Sequence, residues 1–139
     1  MNNKIKALAK SLEIKAKDIT EENDYFNANG AEYLVLTDEE ADERAKEYIL
    51  ESVWAFNADF IIEHSNALDF DEASKKVVEA IAEQCESGNE AMKKLIDDLD
   101  EFVSDAVSAD GRGHFLSGYD GEENEEEING TTYYIYRTN

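Results

Sequence analysis

The stretch from Ala109 to Glu127, ADGRGHFLSGYDGEENEEE, holds the side chains with the greatest capacity for chemistry in this sequence. Arg112 could bind an anion and His114 could move a proton, with Tyr119 and Asp120 joining them if the loop folds back. Junctions between elements often carry function. However, no nucleophile and base stand at a spacing that identifies a pair. A small enzyme or ligand-binding protein is therefore an alternative hypothesis rather than the first.

A simpler interpretation treats the same stretch as a helix end followed by a strand. Gly111 stands where a helix ends in a left-handed residue. Arg112 would meet the negative end of that helix, and His114 would begin the strand. Residues 118–130 are then expected to form an acidic, mobile loop before the strand TTYYIYR.

Metal and cofactor chemistry has little support in the sequence. The soft ligands His64, Cys85 and His114 lie in separate segments, without the close spacing that holds zinc. Cys85 follows an apolar helical stripe and is expected in the core. Phosphate-binding glycine loops, HExxH, paired CxxC and GxSxG are all absent. We therefore predict no metal, no cofactor and no enzymatic activity.

Charge is the strongest compositional signal. The net charge is −21 over 139 residues. Residues 1–20 carry five lysines and two acids, and the remainder carries eight basic and thirty-two acidic residues, so the two parts have charges of +3 and −24. Such a chain is repelled by nucleic acids and anionic membranes and attracted to basic protein surfaces. The basic segment 1–20, read as helical, could pack on an acidic neighbour, which makes a homodimer a further candidate assembly.

The segment that begins at Thr37 predicts an acidic helix over residues 38–56. Thr37 and Glu40 fit a capping box. At 100° per residue an apolar stripe faces the core, and it consists of Ala41, Ala45, Tyr48, Ile49, Ser52, Val53 and Phe56. Five glutamates share another face with Leu50 and Trp54, and they are Glu39, Glu40, Glu43, Glu47 and Glu51. Trp54 is either a second core contact or an anchor for a partner.

A second acidic helix is predicted over residues 90–109. Its apolar stripe turns four carboxylates away from the core, and they are Asp97, Asp98, Glu101 and Asp105. A helix rises about 1.5 Å per residue, and a DNA duplex carries one charge per about 1.7 Å of its axis. Carboxylates along these two helices could therefore approximate a line of phosphates.

The remaining pattern predicts one helix-rich α+β domain over residues 1–139 with a small antiparallel sheet. Asn29-Gly30 separates two β-prone runs and indicates an N-terminal hairpin near residues 24–36. HFLS and TTYYIYR indicate a C-terminal hairpin near residues 114–137. With one cysteine, no secretory signal and no apolar run of about 20 residues, the sequence favours the cytoplasm.

Two stretches, AEYLVLTDEEADERAKEYILESVWAFNADFI and the run from Ala109 to Glu127 with the final YYIYRTN, resemble segments of small acidic proteins carried by bacteriophages and prophages. The resemblance implies a phage early-gene setting. Proteins of similar size and charge in that setting include anti-restriction and anti-CRISPR inhibitors, some of which imitate DNA. The resemblance contains no mechanistic motif, so it transfers no functional residue.

Charge and resemblance together favour a phage-encoded, non-enzymatic inhibitor as the first hypothesis. It would act in the cytoplasm of the host bacterium, as a DNA mimic in the basic groove of a nuclease or of a restriction or CRISPR effector. It would bind neither nucleic acid nor membrane directly. The expected partner-binding residues are Glu39, Glu43, Glu47, Glu51, Trp54, Asp97, Asp98, Glu101 and Asp105. An acidic phage accessory protein without mimicry is a third hypothesis, in which the charge serves only solvation.

Overall fold

A computed structural model describes residues 2–139 and confirms the predicted α+β fold. Over these residues the α-helices are α1 (Asn3–Leu12), α2 (Asp38–Glu51), α3 (Ala58–Glu63), α4 (Glu72–Ala82), α5 (Asn89–Leu95), α6 (Leu99–Asp110) and α7 (Arg112–Leu116). The strands are β1 (Thr20–Glu22), β2 (Tyr25–Ala28), β3 (Ala31–Leu36), β4 (Asn124–Ile128) and β5 (Thr131–Arg137). They form one antiparallel sheet in the order β1-β2-β3-β5-β4.

Three two-residue turns set the strand register. Asn23-Asp24, Asn29-Gly30 and Asn129-Gly130 have positive φ at both positions, as the twist-compatible type I′ turn requires. The flanking residues pair directly across each turn, for example Ile128 with Thr131. The turn at Asn29-Gly30 confirms the predicted N-terminal hairpin. Asn129-Gly130 is the same kind of turn-forming pair, although it was not among the predicted turns.

Strand β3, from the N-terminal hairpin, pairs with strand β5, from the C-terminal hairpin. Leu34 lies opposite Tyr136 and Leu36 opposite Tyr134. One face of the sheet packs against α1. The main buried residues of this core are Ala7, Leu8, Ile19, Phe26, Ala28, Ala31, Tyr33, Val35, Tyr133 and Ile135.

The C-terminal hairpin is shorter than predicted, and its first strand is a different segment. Residues 112–116 form helix α7 rather than a strand, so His114 does not begin one. The strand opposite β5 is Asn124–Ile128, inside the segment predicted as a loop. The physical reason is the turn at 129–130, because a two-residue turn pairs β5 with the residues immediately before it. Phe115 and Leu116 are buried, but they belong to helix α7 and not to a strand.

The contacts divide the described residues into two compact units. The first comprises the residues up to Ala45 together with Asp110–Asn139, and the second is Lys46–Ala109. The single domain expected from length remains a prediction.

In the second unit, the long helix predicted over residues 90–109 is broken into α5 and α6. The backbone of Ile96 is extended, and the Asp98 carboxylate accepts a hydrogen bond from the Glu101 amide at 3.1 Å. Asp98 therefore caps α6. An aspartate followed three residues later by a glutamate is a recognised helix-start pattern, so this break was readable from the sequence.

Several other expectations about helix ends and burial are corrected. Helix α2 ends at Glu51 rather than near residue 56, and Tyr48, assigned to its core stripe, is 51% exposed. Helix α4 ends at Ala82. Cys85 takes the left-handed conformation after that helix (φ 54°) and is exposed, so its placement in the core was wrong.

Within residues 2–139, no helix combines the length and apolar character needed to cross a membrane.

The predicted capping box at the start of α2 is confirmed. The Thr37 amide donates to Glu40 Oε1 at 2.9 Å, and the Glu40 amide donates to Thr37 Oγ1 at 3.3 Å. Glu40 also pairs with Lys4 at 2.9 Å. Burial raises the pKa of the Glu40 carboxyl, but the Thr37 amide and the Lys4 ammonium outweigh it, and the pKa lies below its ordinary value of 4.5.

We expect Glu40→Ala to lower the free energy of unfolding by about 1 kcal/mol at pH 7, because it removes the acceptor of the Thr37 amide and the ion-pair partner of Lys4. Since the folded carboxyl has the lower pKa, its ionisation stabilises the fold above pH 4.5, and this stabilisation is lost as the pH falls through the lower folded value. Urea unfolding at several pH values checks this. Glu43→Ala, in the same helix without such contacts, should change stability little, and an equal loss there would contradict the prediction.

Close packing at Gly113 generates a second prediction. A Cβ added at Gly113 would overlap the backbone oxygen of Gly121 and lie 2.9 Å from the carbonyl carbon of Glu122. Because backbone atoms cannot move aside cheaply, Gly113→Ala should destabilise the protein by about 2 kcal/mol. Thermal and urea unfolding measure the loss. Gly118→Ala, where the nearest atom is at 3.0 Å, is the milder comparison, and a smaller loss for Gly113→Ala would contradict the packing described.

Candidate functional site

Helix α2 carries a row of four exposed glutamates. Glu39, Glu43, Glu47 and Glu51 recur every four residues and are all exposed. Among the described residues, none of them forms an ion pair or a side-chain hydrogen bond. We refer to these four residues as the glutamate row. The sequence predicted their exposure, which is confirmed; their role in binding a partner stays a prediction.

The other acidic side chains in the first half of α2 are committed to contacts inside the protein. Glu40 pairs with Lys4, while Asp38 and Asp42 pair with Arg112 at 2.8 and 3.0 Å. Helix α2 therefore carries two kinds of carboxylate: those paired with a cation of the protein, and the four of the glutamate row, which are not.

Trp54 is neither fully buried nor fully exposed. It lies in a 3₁₀ turn (Val53–Ala55) just after α2, and it is half-buried. Asn89, which is buried, fixes this position: its side-chain oxygen accepts from the Trp54 amide at 3.2 Å and its nitrogen donates to the Leu50 carbonyl at 2.8 Å. These two hydrogen bonds hold the backbone that carries the indole. The role of Trp54 as an anchor for a partner stays a prediction.

The second predicted acidic set mostly serves the fold. Asp97 Oδ2 accepts from the Asn66 amide at 2.7 Å, and Asp98 caps α6. Asp105 Oδ2 lies 3.2 Å from His64 Nε2. Glu101 is exposed, and its carboxylate has no partner among the described residues. All four are exposed; Asp97 and Asp98 accept hydrogen bonds inside the protein, and Asp105 contacts His64 without a hydrogen bond.

His64 is held in an aromatic cluster rather than in a ligand set. Its side chain is only 7% exposed, and its ring lies 5.0 and 5.3 Å from the rings of Phe60 and Phe102. Its approach to Asp105 lacks hydrogen-bond geometry, so Nε2 is buried without a hydrogen bond. An imidazole packed against phenyl rings fits this setting.

Arg112 is the centre of the densest polar network in the first unit. Its Nε donates to Glu123 Oε1 at 2.9 Å, and its Nη1 lies within hydrogen-bond distance of the Asp38 and Asp42 carboxylates. The guanidinium also stacks over Tyr134, 4.5 Å from the ring centre, and its side chain is 12% exposed. Three carboxylates and an aromatic face therefore fix one cation.

Two groups of this network, Arg112 and Tyr136, hold their protons more firmly than usual. Burial opposes the charge of Arg112, but hydrogen bonds to Glu123 and Asp38 outweigh it and raise the pKa of the guanidinium. Burial, followed by a hydrogen bond to Glu123, raises the pKa of the Tyr136 phenol well above its ordinary value. Because neither group exchanges protons near neutral pH, the network suits structural support better than acid–base catalysis.

The other candidate catalytic side chains are engaged separately. His114 is exposed, and its ring packs edge-on against Phe115. Tyr119 lies under the Arg137 guanidinium at 3.6 Å. Asp120 accepts from the Glu122 amide and the Ser117 hydroxyl, which lower the pKa of its carboxyl. No described contact joins these three to each other or to Arg112.

Within residues 2–139, no three His, Cys, Asp or Glu side chains converge in an arrangement that could hold a metal ion. Comparisons with protein-family models, curated proteins and solved structures found no match. The resemblance to phage-borne proteins therefore stays a sequence-based expectation.

We expect Arg112→Gln to lower the free energy of unfolding by about 2 kcal/mol, because it leaves three carboxylates close together without a cation. The loss stays below that of a fully buried pair, since the side chains of Asp38 and Asp42 are each 66% exposed. Arg112→Lys keeps the charge but loses the planar fork and stacking, and it should cost about 1 kcal/mol.

Urea unfolding measures both variants against Arg137→Gln. That control removes a cation whose guanidinium stacks on the exposed Tyr119, so its loss should be smaller, at about 0.5 kcal/mol. Equal losses for Arg112→Gln and Arg137→Gln would contradict the organising role of Arg112.

Proposed function

We propose that this protein is a non-enzymatic inhibitor that occupies the basic, nucleic-acid-binding groove of another protein. The target class is a nuclease or a restriction or CRISPR effector of a host bacterium, which places the action in the bacterial cytoplasm. The protein would carry the charge pattern of DNA without binding nucleic acid itself. The observation that carries the proposal is the glutamate row.

The row has the dimensions of a short stretch of phosphates. Four residues of helix rise about 6 Å, so the four glutamates span about 18 Å along α2. Their azimuths advance by about 40° per step, which gives a slowly winding line rather than a straight one. A groove built to follow a nucleic-acid backbone presents lysine and arginine side chains on a similar scale.

The four carboxylates of the row also repel one another, and no ion pair within the described residues offsets this repulsion. Like charges four residues apart destabilise a helix by about 0.2–0.5 kcal/mol per pair. Lys46 lies on α2 but pairs with Asp100 at 3.1 Å rather than with the row. A basic partner would convert this repulsion into attraction, which gives the arrangement a use outside the fold.

Glu101 and the exposed carboxylates of Asp97, Asp98 and Asp105 are secondary contributors in this proposal. Asp97 and Asp98 already accept hydrogen bonds inside the protein, so their side chains are less free to turn toward a partner than those of the glutamate row. Trp54, half-buried on a fixed backbone, would supply an apolar contact beside charged ones, as aromatic anchors do at protein interfaces.

The test compares two variants that change the net charge equally. One replaces the glutamate row by glutamine (Glu39→Gln, Glu43→Gln, Glu47→Gln and Glu51→Gln). The control replaces four other exposed glutamates (Glu72→Gln, Glu79→Gln, Glu83→Gln and Glu86→Gln). Immobilised wild type should capture a nucleic-acid-binding protein from bacterial lysate at low salt, and duplex DNA should displace it.

Capture should fall at least about tenfold for the row variant and change little for the control, and it should weaken as salt screens the charges. Equal losses in both variants would assign the attraction to net charge alone, as in an accessory protein without mimicry. Recovery of no nucleic-acid-binding protein at low salt would overturn the proposal.

A further inference from the structure

A cavity of about 180 Å³ lies in the first unit, among the starts of α1 and α2 and strands β1 to β3. Its apolar lining comes from Phe26 and Leu36, both of which are largely buried. Charged side chains from three different elements form the rest of its wall. Sites for small molecules combine apolar surface with a few placed polar groups; in this cavity the charged side chains predominate over the small apolar surface.

Two of the charged groups in the wall are already paired with each other. Lys4 Nζ lies 2.9 Å from Glu40 Oε1, and Glu40 is also fixed by the capping box of α2. This ion pair closes one side of the cavity and leaves little free charge there.

The other three charged groups have no intramolecular partner. Arg44 on α2, Glu21 on β1 and Asp24 in the adjoining turn all line the cavity. Among the residues that the structure describes, none of the three forms an ion pair or a side-chain hydrogen bond. Arg44 is only partly exposed, so its guanidinium gives up some hydration without a direct ion pair in return. The cavity thus presents one free cation and two free anions to the same space.

We propose that this cavity binds a small zwitterion, an aliphatic amino acid. The ligand's carboxylate would pair with the Arg44 guanidinium, whose planar donors match a carboxylate. Its ammonium group would pair with Glu21 and Asp24, and its aliphatic part would contact Phe26 and Leu36. A simple anion would leave the two acids unpaired, and a simple cation would leave Arg44 unpaired.

The size of the cavity agrees with this class of ligand. At about 30 Å³ per water molecule, 180 Å³ corresponds to roughly six waters. That volume suits a molecule of about six to nine non-hydrogen atoms. Valine and its close relatives fall within this range.

The test titrates the full chain with glycine, alanine, valine, leucine and γ-aminobutyrate, followed by ¹H–¹⁵N NMR. Valine is compared with isovalerate, which lacks the ammonium group, and with isobutylamine, which lacks the carboxylate. We expect saturable shifts at the amides around residues 21–26 and at the Arg44 side chain. We expect at least about tenfold weaker binding for each of the two valine analogues.

Arg44→Gln and the pair Glu21→Gln with Asp24→Asn should each weaken binding about tenfold or more. Lys15→Gln and Glu122→Gln, at exposed positions outside the cavity, are the matched controls and should bind as wild type. Equal binding of isovalerate or isobutylamine would overturn the zwitterion assignment. Absence of a saturable response to every amino acid would overturn the site itself, and neither result depends on the glutamate row.

Discussion

The contact between Arg112 and its three carboxylates joins parts of the sequence that are otherwise far apart. Asp38 begins α2, Glu123 precedes β4, and the Tyr134 ring lies under the guanidinium from β5. Tyr136, which is fully buried, donates its hydroxyl hydrogen to the same Glu123 carboxylate. The second face of the sheet is therefore organised around one cation. A lysine could supply the charge, but only a planar guanidinium can meet several oxygens and an aromatic face together.

Cations are scarce in this chain, so their placement determines which carboxylates remain free. Thirteen lysine and arginine residues face thirty-four aspartate and glutamate residues. Several of the cations are placed where they connect segments: Lys4 reaches the first turn of α2, and Lys10 of α1 reaches Glu126 in β4. The basic N-terminal segment was predicted to pack on an acidic neighbour. Lys4 and Lys10 of this segment pair with acidic residues of the same chain.

Sequence reasoning succeeded where a local pattern dictates a local structure. Asn29-Gly30 and the capping box at Thr37 were predicted because their backbone requirements are satisfied within a few residues. It failed at His114, where a short apolar run fits a helix and a strand equally well. The register imposed by the turn at 129–130 decided that case. The contacts of Arg112 with Asp38 and Asp42 could not be predicted, because these residues lie 74 and 70 positions away in the sequence.

The carboxylates differ in what the fold requires of them. Glutamates at edge strands, such as Glu21 on β1 and Glu125 on β4, discourage further strand pairing. Asp98 caps a helix, and Glu123 holds Arg112. The glutamate row does none of these things, and a lysine at position 43 or 47 would give α2 favourable pairs in place of repulsive ones. Solubility alone would be served equally well by mixed charges. The fold therefore gives no reason for a continuous row of one sign, and the basic partner surface that we propose has the matching charge.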